Sequence, residues 1–275
     1  MSGFSTDWLA LREPMDAAAR NPELTARLLD WRRGRGLLTV LDLGSGTGAN
    51  LRFLVPPLGG EQHWRLVDHD SVLLARGEEQ CGAWVAKREM NLTLDWRRLD
   101  LVRDWERLDF RGVQLVTASA LLDLVSADWL ERLARHCWDA RAAVFVTLSY
   151  DGSIAWEPVL AGDEEVREQV NRHQRTDKGF GPALGPDAAG TLAVRLRKLG
   201  YEVMSRPSPW RLGPEQRAMQ TALLEGWVNA ARQIAPEAEA DWASWLARRR
   251  RWIEQGASRL RVGHEDLFAW ERKWR

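Results

Sequence analysis

The sequence predicts an α/β protein built on a seven-stranded, mostly parallel, doubly wound sheet with helical cap insertions. Short apolar runs alternate along the chain with segments of helical periodicity, which indicates parallel strands with helices on both faces. A glycine-rich turn joins the first predicted strand to a helix. Of the 275 residues, 45% are hydrophobic, enough for an ordinary core, so disordered, collagen-like and small disulfide-stapled classes are excluded.

The first part of the chain is predicted to be helical. Residues 6–33 form two predicted helices that break near Pro22, because proline suits the first turn of a helix. The apolar run at residues 37–41 predicts the first strand, buried on both faces. A glycine loop follows at residues 44–48, and a helix is predicted to begin at Ala49.

The same alternation continues to the end of the chain. Asp70 or Ser71 is suited to cap one predicted helix and Ser126 the next, while Gly200 closes a third. The remaining predicted strands are residues 64–67, 92–99, 113–118, 142–148, 201–205 and 259–268, and the remaining predicted helices of the core are residues 71–87, 126–138 and 191–199.

Two segments interrupt the alternation and are predicted to be insertions on a common core. Residues 151–186 are polar and glycine-rich and form a candidate substrate lid, whereas residues 214–255 are strongly helical. No linker is long enough to divide the chain, so one domain is predicted over residues 1–275. Its other predicted parts are N-terminal helices at residues 6–33 and a core at residues 37–150, 187–210 and 256–270.

Sixteen tryptophans are the one compositional oddity. Trp227, Trp242, Trp245 and Trp252 recur at helical spacings in the second insertion, so most of them are predicted to be core residues. The alternative is that one or two line an aromatic pocket for a flat or cationic substrate. The basic run at residues 248–251 is predicted to be a solvated helix face.

The charge balance disfavours polyanionic partners. Lys and Arg together number 39, as do Asp and Glu, so the net charge is zero, whereas proteins that bind nucleic acid or anionic membranes usually carry a basic surplus. The two cysteines, Cys81 and Cys137, form no Cys-x-x-Cys pair, so neither a disulfide framework nor a metal site is expected.

A cytoplasmic protein without a membrane segment is expected. Residues 1–16 carry acidic and polar residues in place of the pattern of a secretory signal. No uncharged apolar stretch approaches the length that a membrane helix requires.

Glycines and carboxylates cluster at the predicted strand ends. Gly44, Gly46 and Gly48 would let the backbone approach a ligand at a helix N-terminus, although with Ala49 they also fit the dinucleotide pattern G-x-G-x-x-A. Three aspartates follow the first three strands, where parallel strands meet at one edge: Asp42, Asp68 and Asp100. The alternative is that these aspartates only cap helices.

Four motifs in order resemble those of the class I S-adenosylmethionine (SAM)-dependent methyltransferases. They are Val-Leu-Asp-Leu-Gly-Ser-Gly-Thr-Gly at residues 40–48, Leu-Val-Asp at 66–68, Arg-Leu-Asp-Leu at 98–101 and Gln-Leu-Val-Thr-Ala-Ser at 114–119. The resemblance covers roughly residues 37–148, with a weaker continuation beyond.

The resemblance implies SAM as cofactor and a binding role for the residues at each strand end. The glycine loop would admit the methionine part, with Asp42 orienting its amino group. Asp68 would accept both ribose hydroxyls and Asp100 the adenine amine. The cofactor-binding residues implied in this way are Asp42, Gly44, Ser45, Gly46, Gly48, Asp68, His69, Asp100, Leu101 and Ser119. Arg12 or Arg20 is a candidate for the methionine carboxylate.

The acceptor is predicted to be a small molecule that is methylated on oxygen or nitrogen. Residues 118–121 read Ala-Ser-Ala-Leu, without the Asn/Asp-Pro-Pro-aromatic sequence typical of enzymes that methylate base amino groups, and neither cysteine follows a proline, which excludes the cytosine C5 class. Three side chains are rival candidates for the catalytic base: His173, Tyr150 and Asp123. Two arginines of the candidate lid, Arg172 and Arg175, are candidates for binding an anionic substrate group.

Three other functions stay open at this point. The insertions suit an RNA or protein methyltransferase that uses them as a docking surface. The dinucleotide pattern suits a nicotinamide-dependent oxidoreductase. With no single base identified, a non-catalytic SAM-binding module that regulates a partner also fits.

Overall fold

The computed structural model describes residues 5–88 and 90–271, and residues 1–4, 89 and 272–275 of the predicted domain lie outside the described residues. The strands are β1 (Leu38–Leu43), β2 (Gln62–Asp68), β3 (Leu92–Arg98), β4 (Leu115–Ser119), β5 (Ala143–Glu157), β6 (Tyr201–Pro207), β7 (Trp210–Leu212) and β8 (Arg259–Glu271). The α-helices are α1 (Thr6–Ala19), α2 (Pro22–Arg32), α3 (Ala49–Leu58), α4 (Ser71–Ala86), α5 (Ala127–Asp139), α6 (Asp163–Gln174), α7 (Ala188–Lys198), α8 (Arg217–Ile234) and α9 (Glu239–Glu254).

The described residues form one eight-stranded sheet in the order β3-β2-β1-β4-β5-β8-β6, with β7 paired to β8. Strands β1 to β5 are parallel to one another, and β8 runs antiparallel to β5, β6 and β7. The predicted α/β class with a mostly parallel sheet is therefore confirmed. The three-residue strand β7 was not predicted, because so short a segment carries no periodicity.

Helix starts follow the capping chemistry of the sequence. The predicted break between the first two helices is confirmed, and the Asn21 side chain caps α2 by accepting hydrogen bonds from the N–H groups of Glu23 and Leu24. Of the two candidates for capping α4, Asp70 does so, by accepting hydrogen bonds from two backbone N–H groups. Ser126 caps α5 as predicted.

Both faces of the sheet are covered, as the uninterrupted apolar run of β1 requires. All six residues of β1 are buried. Leu41 and Leu43 belong to a cluster that includes residues of α5 and α7, whereas Leu38 and Val40 belong to a second cluster with α2 and α3. Alternate side chains of one strand thus enter opposite layers, which leaves the carboxyl ends of β1 to β4 open at one sheet edge.

The candidate lid at residues 151–186 is only partly a loop. Strand β5, predicted to end at residue 148, continues to Glu157 beside β8, and α6 then follows within the segment. Two register shifts, between Val146 and Ser149 and again between Tyr150 and Ile154, break the strand periodicity in two. Those shifts are why the second half of β5 was not predicted.

A third cluster lies under the helical insertion and accounts for many of the tryptophans. Trp227, Trp242 and Trp245 are buried in it and Trp252 packs against it, as predicted. The alternative is an aromatic pocket for a flat or cationic substrate. Three of the indole rings, those of Trp156, Trp245 and Trp252, instead contact a cation of the protein itself, the guanidinium of Arg249.

The prediction of a solvated basic face at residues 248–251 is wrong for Arg249. Its side chain is fully buried, donates to the Pro158 carbonyl at 2.7 Å and forms an ion pair with Asp163. The charge pattern alone predicted exposure of Arg249, whereas in the fold three indole rings and the Asp163 carboxylate take the place of water around its guanidinium. The other three arginines of the run are exposed.

The described part of the chain holds neither a candidate membrane helix nor a candidate metal cluster. No helix there has both the length and the apolar character to cross a bilayer. No group of three or more His, Cys, Asp or Glu side chains among these residues is placed to hold a metal ion. Cys81 and Cys137 are buried free thiols.

We expect Asp163→Asn to lower the free energy of unfolding by about 3 kcal/mol, because it leaves the buried Arg249 charge without its partner. Adding Arg249→Met should restore part of that loss. Glu225→Gln, which breaks the exposed ion pair between Glu225 of α8 and Arg250 of α9, is the control and should cost about 1 kcal/mol or less. Urea unfolding measures all three, and equal losses for Asp163→Asn and Glu225→Gln would contradict the buried-pair account.

Candidate cofactor and active site

A cavity of about 370 Å³ opens at the carboxyl ends of β1, β2 and β4. Its walls are the glycine loop, the turn after β3, residues 119–124 after β4 and one face of α1. In an open α/β sheet this edge is where ligands bind. Helix α1 covers the cavity: the Arg52 guanidinium of α3 is 2.6 Å from the Glu13 carboxylate of α1.

All three glycines of the loop have left-handed backbone, and at two of them a side chain would also meet close neighbours. Gly46 and Gly48 have φ values of 52° and 78°, in the left-handed region. A Cβ on Gly48 would lie 2.7 Å from Cys81 Sγ, and one on Gly46 would lie 3.3 Å from Leu9 of α1. The backbone therefore approaches both α4 and α1 closely, and α3 begins directly after it at the cavity wall.

The three strand-end aspartates all line this one cavity. Asp68 holds the glycine loop, since its Oδ2 accepts a hydrogen bond from Gly46 N at 2.9 Å and its Oδ1 accepts one from Asp70 N at 3.0 Å. The His69 Nδ1 lies 3.3 Å from the same Oδ1. Each carboxylate oxygen of Asp68 retains a further lone pair for a ligand hydroxyl.

Asp100 has both a role in the turn after β3 and a place in the cavity wall. Its Oδ1 accepts hydrogen bonds from Val102 N at 2.8 Å and Arg103 N at 3.1 Å. Partial burial works to raise the pKa of Asp100, but these backbone bonds and the nearby Arg103 charge outweigh it, so the pKa is lowered. The residues after Asp100 form a turn, and the short 3-10 helix Trp105–Arg107 has Asp104 as its N-cap, so the helix-cap alternative does not describe Asp100. Its Oδ2 lies 4.0 Å from Arg103 Nε.

Asp42 is buried at the floor of the cavity. Its Oδ1 accepts a hydrogen bond from Asn50 Nδ2 at 2.9 Å, and its Oδ2 has no hydrogen-bond partner in the described residues. Burial raises the pKa of Asp42 to about 7, although the Asn50 amide and the Arg20 charge oppose that shift. A carboxylate in this state gains a great deal from a donor or cation that reaches Oδ2.

Arg20 is the buried cation of the same floor. Its Nη2 donates to Asn50 Oδ1 at 3.0 Å and to Ser119 Oγ at 3.1 Å, and its Nη1 donates to Thr147 Oγ1. Its Nε has no partner in the described residues. Burial lowers the pKa of Arg20 against the opposing charges of three aspartates, Asp266 first among them.

Asn50 joins the two charges. Its amide oxygen accepts from Arg20 and its amide nitrogen donates to Asp42, so a cation and an anion lie on either side of one side chain. The unpaired Nε of Arg20 suits a carboxylate, and the unpaired Oδ2 of Asp42 suits an ammonium group. The arrangement is complementary to the zwitterionic end of an amino acid.

Other predicted cofactor residues also line the cavity: Gly44, Ser45, Gly46, His69, Leu101 and Ser119. Gly48 is not part of the lining and acts through the turn that it permits. Asn50, Glu13, Arg52 and Phe180 line the cavity without having been predicted. Asn50 and Arg52 are the two polar residues of the otherwise apolar helix α3, and their place just after the glycine loop is the signal that points to them.

The three candidates for the base fall in different places. Asp123 is buried and is not itself part of the cavity lining, but it lies in the short segment between two lining residues, Leu121 and Leu124. Burial raises the pKa of Asp123 to about 6, against the backbone N–H groups of Asp123 itself and Tyr150 and the charges of Arg12 and Lys178. It is thus a carboxyl group poised near neutrality beside the end of the cavity formed by residues 119–124.

Tyr150 and three residues of the candidate lid, Arg172, His173 and Arg175, lie outside the cavity lining, although Phe180 of the same segment is part of it. The Tyr150 hydroxyl is buried without a hydrogen-bond partner in the described residues, and burial raises its pKa. His173 is on α6, where Gln233 Oε1 lies 3.1 Å from its Nε2, and burial together with Lys178 lowers its pKa. Arg172 and Arg175 bind neighbouring side chains, Gln169 and Asp187 respectively.

Comparison with known proteins gives the class of fold. No family model and no curated protein matches the chain. Among solved structures, the YcgJ protein from Bacillus subtilis is 11% identical with a TM-score of 0.50, over 92% of this chain and 100% of its own. The match confirms that the chain has a fold in common with solved proteins.

Structures of SAM-dependent methyltransferases are also among those that match. One from Geobacter sulfurreducens, in complex with S-adenosylhomocysteine, is 16% identical with a TM-score of 0.47, over 98% of this chain and 99% of its own. The cyclopropane synthase MmaA2 from Mycobacterium tuberculosis is 12% identical with a TM-score of 0.49, over 97% of this chain and 94% of its own.

We expect Asp42→Asn to stabilise the unliganded protein at pH 8 by about 2 kcal/mol. Because the pKa of Asp42 is raised when folded, the wild type loses stability as the pH rises from about 4 to about 7, and the neutral amide avoids this loss. The advantage is largest above pH 7 and shrinks as the pH falls. Urea unfolding of both proteins at pH 8 and pH 5 measures it, and a variant less stable than the wild type at pH 8 would contradict the burial argument.

Proposed function

We propose that this protein is a methyltransferase that uses SAM to methylate a small-molecule acceptor on oxygen or nitrogen. The observation that carries the proposal is the buried Arg20-Asn50-Asp42 chain beneath the glycine loop, which leaves one unpaired donor and one unpaired acceptor atom. These are the groups that the amino acid end of SAM requires.

The rest of the cavity fits the rest of the cofactor. Arg20 would hold the carboxylate and Asp42 the ammonium group, while Asp68 offers lone pairs on both oxygens to the ribose hydroxyls. Asp100 and Leu101, in the turn after β3, would meet the adenine. The cavity wall thus offers partners to the amino acid end, the ribose and the adenine amine of one molecule.

The sheet topology supports this proposal over a nicotinamide-dependent oxidoreductase. The dinucleotide fold usually has strands in the order 3-2-1-4-5-6, all parallel. Here the antiparallel strand β8 lies between β5 and β6. The G-x-G-x-x-A pattern therefore occurs in a different sheet from the one in which it signals a dinucleotide.

The chain's own residues would align the acceptor and exclude water. Bound SAM supplies a methyl group on a positively charged sulfur, so no further activation of that carbon is needed. Leu121, Leu124 and Phe180 give the cavity an apolar wall beyond the strand β4 end, and α1 covers it from the other side. A mostly apolar wall of this kind, beside the residues that would hold the cofactor, suits a small acceptor.

Asp123 is the base that the geometry favours. It adjoins the cavity wall, whereas Tyr150 is held protonated by burial and His173 is on α6 beside Lys178. The ionised Asp123 carboxylate would take the proton from an acceptor hydroxyl or ammonium group. The attacking atom then carries its lone pair to the methyl carbon, and the bond from sulfur to that carbon breaks.

Titration calorimetry with S-adenosylhomocysteine tests the cofactor assignment. We expect the wild type to bind and Asp68→Ala to bind at least about tenfold more weakly, because two hydroxyl contacts and the loop anchor are lost. Asp109→Ala, which removes an aspartate outside the cavity, is the matched control and should bind as the wild type does. Failure of the wild type to bind would refute the proposal.

Asp123→Asn should lower methyl transfer by about a hundredfold and remove the rise in rate with pH near pH 6. The carboxylate must be ionised to accept a proton, so the wild-type rate should fall as the pH drops below the pKa of Asp123. Transfer of labelled methyl from SAM to a metabolite extract measures the rate.

The exposed neighbour variant Asp128→Asn is the control for that experiment and should behave as the wild type. Tyr150→Phe should also keep the pH profile. If Asp123→Asn retains the wild-type rate and profile while His173→Gln loses activity, the base has been assigned to the wrong residue.

A further inference from the structure

Asp266 of β8 is fully buried and had no part in the sequence predictions. Its carboxylate accepts three hydrogen bonds. Oδ2 accepts from Asn21 N at 2.9 Å, and Oδ1 accepts from Leu148 N at 2.8 Å and from Ser208 Oγ at 2.6 Å. Asp266 is not part of the cavity lining, so it has no direct route to a ligand.

Two of these bonds flank the site where Arg20 is held. Asn21 is the residue directly after Arg20, so its N–H belongs to the peptide unit that leaves the Arg20 Cα. Leu148 is the residue directly after Thr147, whose Oγ1 accepts a hydrogen bond from Arg20 Nη1. One carboxylate therefore anchors both the segment that carries the donor and the segment that carries the acceptor.

The backbone at Leu148 is arranged for this contact. Leu148 has a φ of 56°, a left-handed conformation that leucine rarely adopts, and it lies in the register shift between Val146 and Ser149. Within that shift the pairing of β5 with β8 skips Leu148, and its N–H donates to Asp266 in place of a strand carbonyl. Unusual backbone of this kind persists where the surroundings hold it.

The negative charge of Asp266 also stabilises the charged form of the Arg20 guanidinium. Arg20 is buried, and burial lowers its pKa; Asp266 is the largest of the opposing influences, ahead of Asp16 and Asp42. No direct hydrogen bond joins Asp266 to Arg20, so Arg20 Nε stays unpaired. Asp266 compensates the buried cation without occupying the atoms that a ligand needs.

We propose that Asp266 is a positioning residue that holds the Arg20 guanidinium in place to bind the carboxylate of the cofactor's amino acid end. The inference rests on the proposed function and extends it to a residue outside the cavity. Its effect is confined to one end of the ligand, because Asp68 and Asp100 follow β2 and β3, three or more places from β8 in the strand order. Loss of Asp266 should therefore weaken amino acid recognition and spare nucleoside recognition.

Asp266→Asn is the variant that tests this. Asn21 N and Leu148 N donate to different oxygens, so an amide in that place can accept from only one of them. Two ligands separate the outcomes: S-adenosylhomocysteine, and methylthioadenosine, which has the same nucleoside thioether without the amino acid.

We expect Asp266→Asn to lower the affinity for S-adenosylhomocysteine by about five- to tenfold, because one hydrogen bond that positions the charged Arg20 is lost. The affinity for methylthioadenosine should be unchanged. A purely structural role would weaken both ligands equally. That result, or no change in either affinity, would overturn the proposal. If the wild type binds neither ligand, the proposed function itself fails.

Two further variants make the assignment specific. Ser208→Ala removes the third hydrogen bond but keeps both backbone bonds, so the ratio of the two affinities should match that of the wild type. In an Arg20→Met background, adding Asp266→Asn should cause no further loss of S-adenosylhomocysteine affinity, because the residue that it positions is already absent. Additive losses would contradict a role through Arg20.

Asp266→Glu covers the case in which Asp266→Asn does not fold. It retains the charge but displaces the carboxylate from its two backbone donors. We expect the same selective loss of S-adenosylhomocysteine affinity, and an unchanged ratio of the two affinities would overturn the proposal.

Discussion

Arg20 and Asp42 lie buried on either side of the Asn50 amide, and much of the described structure around the cavity serves to keep these two charges where they are. Burial lowers the pKa of Arg20 and raises the pKa of Asp42, so it disfavours the charged form of both. Each also keeps one atom without a hydrogen-bond partner in the described residues. A folded protein tolerates such a costly arrangement where a ligand later completes it.

Elements far apart in the chain combine to hold this pair. Asp42 ends β1, Arg20 follows α1, and Thr147, which accepts from Arg20, lies in β5. The Glu13 and Arg52 ion pair fixes α1 over the glycine loop. The helix that covers the cavity thus also places the cation at its floor.

Local sequence rules predicted the parts of the site that local structure determines. Asp42, Asp68 and Asp100 could be grouped because parallel strands end at one edge, and the glycine loop because left-handed backbone needs glycine. The contacts of Arg20 join residues up to 127 positions apart, so no short pattern reveals them. The second half of β5 and the burial of Arg249 were missed for the same reason, since register shifts and tertiary contacts decide both.

A crystal structure with S-adenosylhomocysteine tests the central claim most directly. The account places the ligand carboxylate within hydrogen-bond distance of Arg20 Nε, its ammonium group within hydrogen-bond distance of Asp42 Oδ2, and its ribose hydroxyls on Asp68. A ligand bound elsewhere, or one whose amino acid end points away from Arg20 and Asp42, would contradict it.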